Sequence, residues 1–175
     1  MKIRLVLIAT LFAFTFESFT QVPGYREDTS IPTFDINFLT IRSSDQSKTE
    51  FKFLKTAKSD FLEAFPNPDK DEDFYFEIGE VMARLIAYET SEFYFLEGKL
   101  SGLRLQDSKF SIGNGKSFIK VGDHYSLVEK IFPSYKKEFD KDFILIPISN
   151  GDIISDESIS IVFDLATGKI IDIIV

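Results

Sequence analysis

The sequence predicts an α+β fold: two tandem repeats, each a short helix packed on an antiparallel β-sheet. Three observations predict it. Aligning Phe65-Pro66 with Phe132-Pro133, an offset of 67, pairs Phe51 with Phe118, Leu54 with Val121, Ser59 with Ser126 and Phe61 with Val128. Three residues inserted in the second copy then align Phe93 with Phe163, Gly98-Lys99 with Gly168-Lys169, Leu100 with Ile170 and Leu103 with Ile173. Finally, the order of elements, read from hydrophobic period, agrees between the copies throughout.

The first twenty residues read as an address. Lys2 and Arg4 precede an apolar run from Leu5 to Phe16, and Ser18 and Thr20 fit a cleavage site before Gln21. Such a run is shorter than the roughly 20 residues a membrane-crossing helix needs. Residues 1–20 are therefore expected to be a signal peptide, and the product to be exported, periplasmic or extracellular. No Cys follows the run, so it is not expected to be a lipoprotein. Residues 21–32, with two Pro and one Gly, read as a flexible lead-in.

The first repeat is expected over 33–105. Phe34, Ile36 and Phe38 alternate with polar residues, which predicts a strand. Ser43 to Lys48 is a polar loop, and Phe51 to Leu54 a returning strand. Phe61, Ala64 and Phe65 sit at helical spacing, and Pro66 stops the helix. Strands follow over Phe74–Ile78, Val81–Tyr88, Glu92–Leu96 and Lys99–Leu105, with a hairpin turn at Glu97-Gly98. Residues 80–89 also contain good helix formers, with Val81, Leu85 and Tyr88 on one helical face; they are read as strand because the repeat calls for sheet there.

Residues 106–109 are the expected boundary, and 110–175 the second repeat. Gly113-Asn114-Gly115 marks a tight turn between Lys109–Ile112 and Ser117–Val121. Ser126 to Glu129 has the capping-box pattern, with Asp123 as the competing cap. Val128, Ile131 and Phe132 form the helix's apolar face, and Pro133 ends it. Strands are expected over Phe143–Ser149, Ser158–Leu165 and Lys169–Val175, the last two joined at Thr167-Gly168. Ile170 to Val175 is apolar on both faces apart from Asp172, which suits a central strand or a covered edge.

Composition excludes several chemistries. With 20 basic against 28 acidic residues, net −8, the chain lacks the cationic surface for non-specific nucleic-acid binding. Zero Cys removes disulfides, thiol chemistry and Cys-based metal sites, and one His removes any two-His site. His124, beside Asp123, Tyr125 and Ser126, reads as a capping-region residue rather than a catalytic base. Asp69, Asp71, Asp73 and Glu80 partly imitate a calcium loop, but Phe74 stands where the bend needs Gly, and a solvated acidic turn is expected instead. Lys136, Lys137 and Lys141, interleaved with Glu138, Asp140 and Asp142, read as a solvated loop. No cofactor, metal or catalytic residue is assigned.

Aromatics are the remaining signal. Sixteen of the twenty Phe residues follow residue 20, enough for two aromatic-rich cores. Tyr75, Tyr88 and Tyr94 are the candidate partner-binding residues, since Tyr is favoured in interface cores.

Val121-Gly122-Asp123 through Phe132-Pro133, and Phe163 through Gly168-Lys169-Ile170, with their echoes in the first half, resemble the beta-lactamase-inhibitor-protein fold over roughly 34–175. A single-copy relative of that architecture occurs in small envelope lipoproteins of the outer-membrane barrel-assembly machinery. The chain lacks the disulfides of the first group and the acylated Cys of the second. The resemblance implies protein binding through a sheet face and no enzymatic activity. The expectation is a secreted or periplasmic non-enzymatic binding module that contacts an unknown protein or envelope component through a sheet face or loop. The alternatives are an accessory structural subunit of an envelope complex and a carboxylate-only hydrolase.

Overall fold

Alternating apolar and polar side chains turn about half of the described residues into strands, and the strands into two sheets. The computed structural model describes residues 32–45, 49–77, 79–133 and 141–175. The signal peptide, nearly all of the lead-in, Ile78 and the Lys136–Asp140 part of the mixed-charge loop lie outside the described residues.

The described residues form twelve strands and two short α-helices. The first half contributes β1 (Phe34–Asp35), β2 (Thr40–Ser43), β3 (Glu50–Lys52), α1 (Lys58–Ala64), β4 (Lys70–Phe76), β5 (Val81–Tyr88), β6 (Ser91–Leu96) and β7 (Lys99–Leu105). The second contributes β8 (Phe110–Gly113), β9 (Phe118–Ile119), α2 (Val128–Ile131), β10 (Phe143–Asn150), β11 (Ile153–Phe163) and β12 (Ile170–Ile174). The larger sheet has the order β1-β10-β11-β12-β7-β6-β5-β4, and the smaller β3-β2-β8-β9. Neighbours are antiparallel except β1 with β10. Both sheets mix the halves of the chain: β7 pairs with β12, and β2 with β8.

The core lies between the sheets and under the helices. Phe61 of α1 is fully buried, with its ring 4.7 Å from Phe93, 5.1 Å from Phe65, 5.3 Å from Phe51 and 5.5 Å from Phe95. Val128, Ile131 and Phe132 are likewise buried, and Phe132 meets Phe34 edge-on at 4.8 Å. The residues expected to line the helix faces are therefore core, except that Ala64 is only partly buried.

Residues related by the offsets of 67 and 70 make matching contacts. Lys58 donates its backbone N–H to Gly98 O at 2.9 Å, and Tyr125 donates to Gly168 O at 2.9 Å. Leu100 donates to Thr56 O and Ile170 to Asp123 O, at 3.0 and 2.8 Å. Isolated bridges join Ala57 to Lys99 and His124 to Lys169. The helices end on Phe65 (φ −122°, ψ 76°) and Phe132 (φ −122°, ψ 74°).

Segment 81–88 is a strand, as expected: seven residues of β4 pair with it, and β6 flanks its other side. Asp172 sits in a central strand, β12, between β11 and β7.

Four local expectations need correction. The strand expected over 34–38 is broken after Asp35 by a 3₁₀ turn at Ile36–Phe38, because the Asp35 carboxylate accepts from the backbone and side-chain amides of Asn37 at 3.0 and 2.9 Å. The capping box at Ser126–Glu129 does not form. The helical turn begins at Tyr125, one residue before Ser126, and His124 caps it by accepting from Ser126 N at 3.3 Å. Asp123 instead accepts from Lys120 N at 3.0 Å. The acidic run 69–73 is mostly strand rather than turn, since β4 starts at Lys70. Lastly, β11 begins at Ile153, five residues before the expected Ser158, and lengthens the hairpin with β10.

Candidate interaction face

Strand alternation sends β4–β6 side chains to opposite faces of the larger sheet, and cross-strand pairing shows which share a face. Phe74 lies opposite Ala83, Leu85 opposite Tyr94, and Tyr94 opposite Gly102. These residues face away from α1. The rings of Phe74, Phe76 and Tyr94 form a triangle, with centroids 4.8, 5.2 and 5.3 Å apart. Beneath the rings Ala83 and Leu85 are buried, 6% and 4% exposed, yet both stand outside the main core. The rings themselves stay partly open to solvent, and Phe76 is 39% exposed.

A polar network borders this cluster. The Tyr94 hydroxyl donates to Glu92 Oε2 at 2.7 Å; burial and that neighbouring carboxylate hold the phenol well above its usual range. Glu92 lies opposite Arg104. The Arg104 guanidinium donates Nε and Nη2 to Asp172 Oδ2 at 3.0 and 2.6 Å, and Gln106 Nε2 reaches the same oxygen at 3.1 Å. This is how a central apolar strand accommodates Asp172, which is buried on the outer face but fully partnered.

The three candidate tyrosines do not share a surface. Tyr94 belongs to the outer cluster. Tyr88 points inward, is 4% exposed, and donates its hydroxyl to the Phe65 carbonyl at the end of α1. Burial, aided by the carboxylates of Asp71 and Asp69, pushes its phenol up to about 12. Tyr75 also lies on the inner face, opposite Met82, but past the end of the core; the two are 51% and 55% exposed.

Between Tyr88 and Tyr75 the inner face of β4–β5 passes from the buried Ile86 to a polar cluster. Arg84 Nη1 donates to Asp73 Oδ1 at 2.8 Å, Nη2 donates to Asp71 O at 2.7 Å, and Nε meets the Asp71 carboxylate. That guanidinium, with Lys58 3.6 Å away, lowers the Asp71 carboxyl below the usual range. Asp69 accepts from Glu89 N at 2.6 Å. Of the carboxylates that imitated a calcium loop, Asp71 and Asp73 thus meet Arg84, and Asp69 meets a turn. Among the described residues no group of three or more His, Asp or Glu could hold a metal ion.

His124 stacks on Tyr125 at 4.6 Å, and Tyr125 on Phe163 at 4.8 Å. Its Nδ1 lies 2.8 Å from Ser126 Oγ. An open cleft of about 260 Å³ lies where β7, β10 and β11 meet the turn after β3; Phe53, Ser101, Asn150, Ser158 and Glu157 are among its lining residues. Among the described residues Glu157 is the one acidic side chain lining it.

Sequence reasoning missed Arg84, Arg104 and Asp172 as partners, and did not single out Phe74 and Phe76. The alternation of Phe74, Tyr75 and Phe76 was legible; which of them meets Tyr94 depended on the register of three strands. Compared with known proteins, the chain matches no family model, no curated protein and no solved structure.

Proposed function

We propose that this protein is an exported, non-enzymatic binding module that engages a protein or envelope component through the outer face of β4–β6. One observation carries the reading: Phe74, Phe76 and Tyr94 form a partly exposed triangle on a sheet face remote from the helices. Aromatic residues beside a partnered Arg are the composition that interface centres favour. We further infer that the chain is two copies of one helix-plus-sheet unit, of the beta-lactamase-inhibitor-protein type. The matching bridges at Ala57–Lys99 and His124–Lys169 support that reading. The accessory-subunit alternative draws on a different observation, the open edge of β4.

The test is a crosslinked pull-down of tagged protein from envelope and culture fractions of its own host. One stoichiometric partner is expected, and Phe74→Ala and Tyr94→Ala should release it. A monomer that captures nothing, or a partner indifferent to both substitutions, overturns the reading.

A further inference from the structure

The two ends of the larger sheet are built differently. At one end β1 covers β10 for only two residues, and β10 itself carries Pro147 and a break in register between Pro147 and Ser149. Proline and irregular register are devices that keep foreign strands from pairing. At the other end stands β4. All seven of its residues pair one to one with β5, without a bulge, and it contains no Pro. Among the described residues nothing pairs with its outer edge. An extended segment could therefore use the row of N–H and C=O groups along that edge.

Charge decides which segment. The stretch from Asp69 to Glu80 holds the acids Asp69, Asp71, Glu72, Asp73, Glu77 and Glu80, against Lys70 and, from neighbouring elements, Lys58 and Arg84. Arg84 and Lys58 serve Asp71, and Arg84 serves Asp73. Among the described residues Glu72 pairs only with Lys70, 3.9 Å away, in a pair more than half exposed on both sides. A second copy is a poor occupant. Antiparallel pairing of two β4 strands centred on Asp73 sets Asp73 against Asp73, and centring on Glu72 sets Glu72 against itself; like charges directly opposite destabilise a ladder. The whole chain is also net −8.

We propose that the β4 edge accepts an extended segment of a partner protein as a ninth, antiparallel strand. Apolar residues of that segment face Phe74–Phe76, followed by Lys or Arg facing Asp71–Asp73. This rests on the binding-module reading and specifies the chemistry of the partner.

The experiment uses a fluorescent heptapeptide, Val-Thr-Val-Lys-Arg-Lys-Glu, with its charge-reversed counterpart, on the full chain from its own host. Anisotropy measures binding, and hydrogen exchange read by mass spectrometry locates it. Saturable binding by the basic peptide only is expected, with slowed exchange over 70–76. Glu72→Lys should weaken it about fivefold, the upper end for one directly opposed pair. Equal binding of both peptides, no saturation at about 1 mM, or protection confined elsewhere overturns the proposal. If the partner captured from the host is lost with Tyr94→Ala but ignores Glu72→Lys, the binding-module reading stands and the edge proposal fails.

Discussion

Replacing Tyr88 with Phe separates a structural tyrosine from a binding one. The hydroxyl is buried and donates to the Phe65 carbonyl where α1 ends, so its loss removes a donor from a site water cannot easily fill. The ring stays, and its contacts with Phe61, Phe93 and Phe110 at 6.3, 6.3 and 5.7 Å are kept. The expected cost at pH 7 is about 1–3 kcal/mol, the range for orphaning a buried polar group. An alkaline signature should accompany it. The phenol stands at about 12 in the fold against an ordinary 10.0. A raised pKa in the fold means that the native state holds its proton more tightly than the unfolded chain. The resulting stabilisation is complete below pH 10 and disappears as pH rises through about 12. Two units correspond to about 2–3 kcal/mol. The Tyr94 phenol is also held up and titrates in the same direction, so the difference between wild type and Tyr88→Phe isolates Tyr88. Urea unfolding at pH 7, 9 and 11 provides the assay. Wild type should lose stability faster than the variant above pH 10, and partner capture at pH 7 should be unchanged. Equal stability at pH 7, or identical alkaline slopes, would refute the assignment.

Other substitutions probe the core, a turn and the outer face. Phe61→Ala empties the centre of the aromatic core and should cost about 3–5 kcal/mol in urea unfolding; Phe76→Ala, on the open face, should cost well under half of that. Gly168→Ala forces a side chain onto φ +68° and drives its Cβ into His124 Nε2, so a loss of about 1–3 kcal/mol in thermal or urea unfolding is expected. Asp172→Asn removes the charge that Arg104 and Gln106 share and should cost about 1–3 kcal/mol, with the loss shrinking in an Arg104→Met background as a double-mutant cycle would show.

Local chemistry was readable without coordinates wherever a signal involved neighbouring residues. Pro66 and Pro133 ended their helices, Glu97-Gly98 and Thr167-Gly168 turned their hairpins, and period-two alternation marked β6, whereas β5 was read from its place in the repeat. Phe61, Val128, Ile131 and Phe132 declared themselves core by helical spacing. Where two local signals competed, the outcome turned on small energies: the Asp35 side chain captured Asn37 and converted an alternating run into a 3₁₀ turn, and His124 took the cap for which Ser126 had the right spacing. Which face each tyrosine serves was not written locally at all. Tyr75, Tyr88 and Tyr94 are chemically alike, and alternation assigns parity within one strand, not between strands. Only the pairing of β4 with β5 and β5 with β6 placed Tyr94 with Phe74 and Phe76, sank Tyr88 against Phe65 and left Tyr75 beyond the core. The same holds for Arg104 and Asp172, 68 residues apart, whose ion pair exists because β7 and β12 are neighbours. The sequence alone determined most of the elements, because propensity and period act between nearby residues; the tertiary structure alone decided the surface, because a face is defined by register across strands distant in the chain.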